Sequence, residues 1–329
     1  MIIDAYNHIY PRAYLERWAN LKTLPSDAFV PPFKIAANLD KPWTHFSNSD
    51  ARIEHMDKFG VDLQLLTLAL PAYDIVSAQE GGDLARIAND GVAEVVTKHP
   101  SRFQGISTLP MRTPDIALRE MDRTIGALGF KAVQIFGNVD GKPVDLPEYF
   151  PVYQRAAELD IPILVHPRDW KTYDWVDEYS LKLLFGWPFD TTLAMSRFVY
   201  GGVLEKLPNL KIMTHHAGAM VSFFGERIRA IDPLIRDKQG KRPIPTGAVE
   251  YFKKFYGDTA VFGSTPALET ARSFFGIEHL VFGTDYPFGP DLGIGAIRST
   301  IDAVNGMTIS EAERDLIFSG NARRIFKLA

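Results

Sequence analysis

Eight short apolar runs recur along the chain with longer amphipathic stretches between them, and this alternation most constrains the fold. The runs are IIDAYNH (2–8), LQLLTLAL (63–70), FQGISTLP (103–110), AVQIFG (132–137), IPILVHP (161–167), LKIMTHHAG (210–218), FYGDTAVF (255–262) and HLVFGTDYPF (279–288). The intervening DLARIANDGVAEVVTKHP places Ile87, Val92, Val95 and Val96 at helical spacing and stops at Pro100. EYFPVYQRAAELD, GAMVSFFGERIRAID and TPALETARSFFG repeat the pattern. Near-continuous apolar strands suit a parallel sheet buried on both faces. With no break in composition, the alternation predicts one α/β domain over residues 1–329, a (β/α)8 TIM barrel. A doubly wound sheet is the alternative, but no G-x-G-x-x-G turn follows any of the runs.

Two connections are long for such a barrel. Residues 9–50, after the first strand, are rich in Pro, aromatics and Asn; residues 168–190, after the fifth, carry Trp170, Tyr173, Trp175, Tyr179, Phe185 and Trp187. Both leave the C-terminal ends of strands, where barrel enzymes build their sites. They are expected to be walls or lids of a pocket, although a subunit interface has the same aromatic signature.

Bulk properties exclude several classes of function. The net charge of −4 offers no electrostatic reason for nucleic acid or an anionic membrane as partner. The absence of cysteine removes disulfides, thiolate metal sites and a cysteine nucleophile. No apolar run approaches the ~18 residues that span a bilayer, and a basic-then-apolar leader is missing, so a cytoplasmic protein is expected.

The first run poses the chemical question. In an extended IDAYNH, Asp4, Tyr6 and His8 share one face. His8, His166, the His215–His216 pair and Asp285 each close a predicted strand, so four strands deliver three imidazoles and a carboxylate to one rim. Such a donor set suits Zn²⁺ or a similar divalent ion. His45, His55, His99 and His279 have no such context and read as ordinary surface or helix-cap histidines.

These stretches resemble the amidohydrolase superfamily, in the branch of aminocarboxymuconate semialdehyde decarboxylase and related non-oxidative aromatic acid decarboxylases. The matching segments are IDAYNHIYP, ARIEHMDKFGVDLQLLTL, PILVHP, the run from GWPFDTTLAM through GGVLEKLPNLKIMTHHAG to FFGERI, HLVFGTDYPFG and SGNARRIFKL. The resemblance implies His8, His166 and Asp285 as metal ligands and His216, the family's position before the small-residue turn, as the group acting on the substrate. Strand alternation lets one of His215 and His216 face the barrel, and the family spacing favours His216. Arg227, and less directly Arg52, would match arginines that hold a substrate carboxylate. Tyr6 is the departure, because most relatives carry His there. It could ligate through its phenolate, step back to leave three ligands, or mark loss of the metal; three ligands plus water rank first, ligation by Tyr6 second and loss of the metal third.

The reading implied is a metal-dependent, non-oxidative decarboxylase of a small aromatic or unsaturated acid. One divalent ion, Zn²⁺ or else Mn²⁺, and no organic cofactor would serve it. His216 and Asp285 would carry the chemistry, with Arg227, Arg52, Tyr6 and Trp187 lining the substrate site. The family's habit implies a homodimer. A metal-dependent hydrolase of an ester, lactone or amide, a hydratase, and a non-catalytic barrel that binds a small acid are the alternatives.

Overall fold

The computed structural model describes residues 1–21, 44–70, 73, 76–168, 178–245 and 247–328. The apolar runs form one eight-stranded parallel sheet, in the sequential order expected of a barrel. Its strands are β1 (Ile3–His8), β2 (Leu63–Thr67), β3 (Phe103–Thr108) and β4 (Ala132–Phe136), then β5 (Ile163–His166), β6 (Ile212–Thr214), β7 (Tyr256–Asp258) and β8 (Leu280–Val281). Helices lie between successive strands, so the (β/α)8 architecture expected from the alternation is the one observed.

The ring closes between β8 and β1 through the irregular segment that follows β8. Ala5 donates to the Phe282 carbonyl at 2.9 Å, Thr284 to the Tyr6 carbonyl at 3.2 Å, and His8 to the Tyr286 carbonyl at 2.6 Å. Gly283 permits this approach. A Cβ there would stand 2.9 Å from the Cβ of Tyr6 and 3.1 Å from that of Asp258, closer than packed carbons tolerate.

Side-chain alternation then sets what the barrel holds. Tyr6, Leu65, Ile106, Ala132, Leu164, Met213, Tyr256 and Val281 share one buried inner cluster. Ala322, Ile325 and Phe326 of the last helix join it from the N-terminal end. Two residues further along β1, β5, β6 and β7, the same face carries His8, His166, His215 and Asp258. The inner layer thus ends in polar groups at the C-terminal mouth.

The two long connections are more helical than expected. Arg12–Ala19 is a helix that buries Tyr14, Leu15 and Trp18, and residues 22–43 lie outside the described residues. In the second connection Trp170, Tyr173 and Trp175 lie outside them too. From Lys182 the chain winds through a wide turn (Lys182–Gly186) into the helix Trp187–Tyr200. The sequence GWPFD looks like a loop because of its Gly and Pro. Yet Pro188 falls in the first turn, where its missing N–H leaves no bond unmade, and Asp190 favours the same end. No helix among the described residues is long and apolar enough to cross a membrane.

Candidate metal centre

His8, His166, His215 and Asp285 are all buried, and each offers a ligand atom within 4.8 Å of the others. His8 Nε2 lies 3.2 Å and His215 Nε2 3.1 Å from Asp285 Oδ1, yet neither nitrogen is aligned for a hydrogen bond. Close, misaligned donors are what converging lone pairs look like when they share a cation rather than a proton. Two of the three rings are held from behind, those of His166 and His215. His166 Nδ1 lies 2.6 Å from the Pro167 carbonyl, and His215 Nδ1 forms a short hydrogen bond with Asp258. Fixing one imidazole nitrogen in this way leaves the other as the ligand.

The backbone departs from regular strand at the two places that matter. After β6, His216, Ala217, Gly218 and Ala219 all take positive φ, and Asp285 has φ 62°. Left-handed geometry is unfavourable for residues with a Cβ, least so for Asp and Asn, and concentrates at functional sites. Here it turns the chain sharply at the rim and aims Asp285 back into the barrel.

Burial and charge sort the protonation states. His166 is driven well below the ordinary imidazole range by burial, then by His8 and His215. His8 is lowered by burial, against the pull of Asp285. Against its own burial, His215 is raised to about 10 by Asp258 and then Asp285. Burial would raise Asp285, but His215 and His8 hold it well below the usual carboxylate range. Two neutral imidazoles thus present lone pairs beside an ionised carboxylate, and the proton on His215 occupies the place of a positive charge that a metal ion would supply. The residues present fit a divalent ion.

Comparison with known proteins agrees with this geometry. The amidohydrolase family model matches residues 3–328. The chain belongs to the amidohydrolase family. Among its relatives is the 2-amino-3-carboxymuconate-6-semialdehyde decarboxylase of Dictyostelium discoideum. The two are 32% identical, over 83% of this chain and 75% of that one. The gamma-resorcylate decarboxylase of a Polaromonas species is also 32% identical, over 95% of this chain and 97% of its own length. A crystal structure of the dihydroxybenzoic acid decarboxylase of Polaromonas, with bound manganese and the inhibitor 2-nitroresorcinol, superposes with a TM-score of 0.81. It is 27% identical and covers 99% of this chain and 97% of that one.

Within this amidohydrolase, the residues singled out from sequence separate. His8, His166 and Asp285 come together as expected, but the fourth member is His215. Met213 belongs to the inner layer, so strand phase carries His215 inward, and the expectation that His216 is the barrel-facing one is corrected. The left-handed turn keeps His216 close all the same: its ring stacks on His215 at 4.2 Å and 24°. Its Nδ1 is buried without a hydrogen-bond partner among the described residues. Burial, then His215, lowers His216 to about 4.

Tyr6 is fully buried against the cluster, its ring 4.3 Å from that of His215. Its hydroxyl has no hydrogen-bond partner among the described residues, and burial, then Asp258 and Asp285, push its pKa well above the ordinary value. Trp187 lies 6.3 Å from His166, Phe136 5.7 Å from His166 and Phe288 5.8 Å from His8. These rings give the centre an aromatic wall.

The two arginines fall elsewhere. Arg52 is fully buried, and both its Nη atoms are engaged by His8, Asn7 and Gln64. Its guanidinium is thus enclosed in the protein rather than open to a pocket. Arg227 is exposed on the helix Gly225–Ile231. There it lines a groove of about 240 Å³ with Thr192, Ser196 and Met220, to which no member of the cluster contributes. Asp258, the partner of His215, escaped the sequence reading. It lies within the apolar run FYGDTAVF, and nothing beside it in the sequence points to His215.

Proposed function

We propose that the chain catalyses the metal-dependent, non-oxidative decarboxylation of a small aromatic carboxylic acid. One observation carries this: three imidazoles and a carboxylate converge beside Trp187, Phe136 and Phe288 at the C-terminal mouth of the barrel. The kinship with decarboxylases of ring-bearing acids supports it.

His8, His166, His215 and Asp285 would hold the ion, extending the three-ligand set read from sequence. A bound divalent ion supplies Lewis acidity to the oxygens of the substrate. Zn²⁺, expected from the donor types, and Mn²⁺, the ion in the Polaromonas relative, are the two to test.

The rest is work for the chain's own side chains. The carbon–carboxylate bond breaks, CO₂ departs, the bonding pair stays on the ring carbon, and one proton must reach that carbon. His216 is the proposed carrier: stacking holds it against the cluster, and because burial leaves it unprotonated at neutral pH it would take a proton from solvent and pass it to the ring carbon. Asp285, ionised and partly committed to the ion, would accept the proton of a substrate hydroxyl. Tyr6 keeps its proton and offers a neutral O–H. Trp187 and Phe136, both edge-on to His166, would give a substrate ring an apolar wall and keep water off it.

A homodimer is part of the reading. Leu184, Phe185, Phe223 and Leu234 are 59%, 62%, 76% and 75% exposed, apolar side chains that a second subunit would cover. Light scattering at micromolar concentration tests it, with a single-subunit mass as the contrary result.

The activity test is direct. Metal-free protein reloaded with Mn²⁺ or Zn²⁺ should release CO₂ from gamma-resorcylate or another ortho-hydroxylated benzoate. No release from any member of a hydroxybenzoate panel under either metal would sink the reading.

A further inference from the structure

His8 and Asp285 come from the two sides of the β8–β1 junction, where the ring closes through the irregular segment after β8 rather than through a strand ladder. Their separation is therefore set by whatever ties the two edges together, and Arg52 touches both: it hydrogen-bonds on the β1–β2 side and packs on the Tyr286 ring on the β8 side. It sits in the first turn of the helix Ser49–Phe59, and its side chain is fully buried. Nη1 donates to the His8 carbonyl at 2.7 Å. Nη2 donates to Asn7 Oδ1 at 2.7 Å and to Gln64 Oε1 at 3.0 Å. The guanidinium lies 4.5 Å from the centre of the Tyr286 ring, immediately after Asp285.

The network continues to the other neighbour of Asp285. Gln64 Nε2 donates to Asp4 Oδ2 at 3.1 Å. Asp4 accepts from the Thr284 N–H at 3.1 Å and from its hydroxyl at 2.7 Å. Thr284 and Tyr286 bracket Asp285, so both flanks of that ligand, and the carbonyl of His8, are fastened to one buried network.

A buried guanidinium is a poor way to gain stability, since an apolar side chain of similar volume does as well or better without the desolvation penalty. What the charge adds is direction: planar donors that fix several acceptors at once. We propose that Arg52 is a positioning residue for the metal centre, holding His8 and Asp285 across the β8–β1 junction at the spacing a divalent ion requires. This rests on the metal-dependent reading above.

The test measures Mn²⁺ binding to metal-free protein by electron paramagnetic resonance, beside thermal unfolding of the same samples. Arg52→Gln and Arg52→Met are expected to weaken Mn²⁺ binding about 10-fold or more, the range seen when outer partners of ligands are lost. Arg52→Lys, which can keep one of the contacts, should fall between. Gln64→Leu cuts the link to Asp4 while leaving Arg52 in place, and should weaken binding to a lesser degree; it serves if the Arg52 variants fail to fold. Asp232→Asn, which breaks the remote Arg242–Asp232 pair, is the control for general destabilisation.

Weakened binding in the junction variants, with wild-type affinity in the control, supports the proposal. Wild-type affinity in the Arg52 and Gln64 variants, or equal weakening in the control, overturns it. A wild-type protein that binds neither Mn²⁺ nor Zn²⁺ instead overturns the metal-dependent reading, and this proposal with it.

Discussion

Asp258 grips the Nδ1 edge of His215 and turns the opposite nitrogen of that imidazole toward Asp285, 3.1 Å away. Strand phase brings His215 to the centre, and the carboxylate fixes which of its ring nitrogens faces it. Asp258→Asn keeps the shape but loses the charge that holds the Nδ1 proton. Metal affinity is expected to fall about 10–100-fold, measured by Mn²⁺ titration, with near-native circular dichroism. Unchanged affinity would remove Asp258 from the site.

His215 and His216 stack on one another yet should fail differently. His215→Ala is expected to lose stoichiometric metal, as read by elemental analysis after dialysis. His216→Ala is expected to keep its metal and lose kcat by about 10²–10⁴-fold, the usual contribution of a proton-transfer group. Variants with the two phenotypes exchanged would reverse the assignment.

Asp4 gives the junction its own pH dependence. Burial raises its pKa to about 6, against the lowering pull of Thr284, Arg52 and Gln64. A carboxyl raised on folding keeps its proton longer in the native than in the unfolded chain. Its contribution to stability is therefore complete below the unfolded value near 3.8 and lost as pH climbs through about 6. Urea unfolding of metal-free protein at pH 4.5 and 7 should show this decline, at most about 3 kcal/mol from the size of the shift. In Asp4→Asn the difference between the two pH values should lose that component, and a slope equal to wild type would contradict it.

Gly283→Ala tests how tightly the ring closes. The added methyl would overlap Tyr6 and Asp258, so the edges must separate. We expect a destabilisation of about 1–3 kcal/mol in chemical denaturation together with weaker metal binding. A variant as stable as wild type would show the junction to be loose.

The barrel was legible because a parallel sheet covered on both faces leaves an apolar run wherever a strand lies, and helices between them keep their own period. His8, His166 and Asp285 were legible for a related reason: polar groups ending apolar runs have few structural uses. The choice between His215 and His216 was not, because it depends on strand phase counted from Met213 and on four successive left-handed residues. Asp258 and Arg52 were harder still. Their meaning lies in partners 43 and 44 residues away, His215 and the His8 carbonyl, and neighbouring letters carry no trace of that. Helix Arg12–Ala19 was hidden by its setting among prolines and asparagines, although Tyr14, Leu15 and Trp18 already spelled out a buried stripe.

The closing junction also gives the site an order of assembly. Asp4 and Thr284, whose hydrogen bonds fasten the last strand to the first, stand 280 positions apart. On a ribosome the three imidazoles emerge well before the carboxylate that completes them. A growing chain holds β1 with an unpaired edge, and a cluster short of its carboxylate, until the residues around Asp285 have been added. Competence to bind an ion thus arrives late, and together with the strand that seals the barrel.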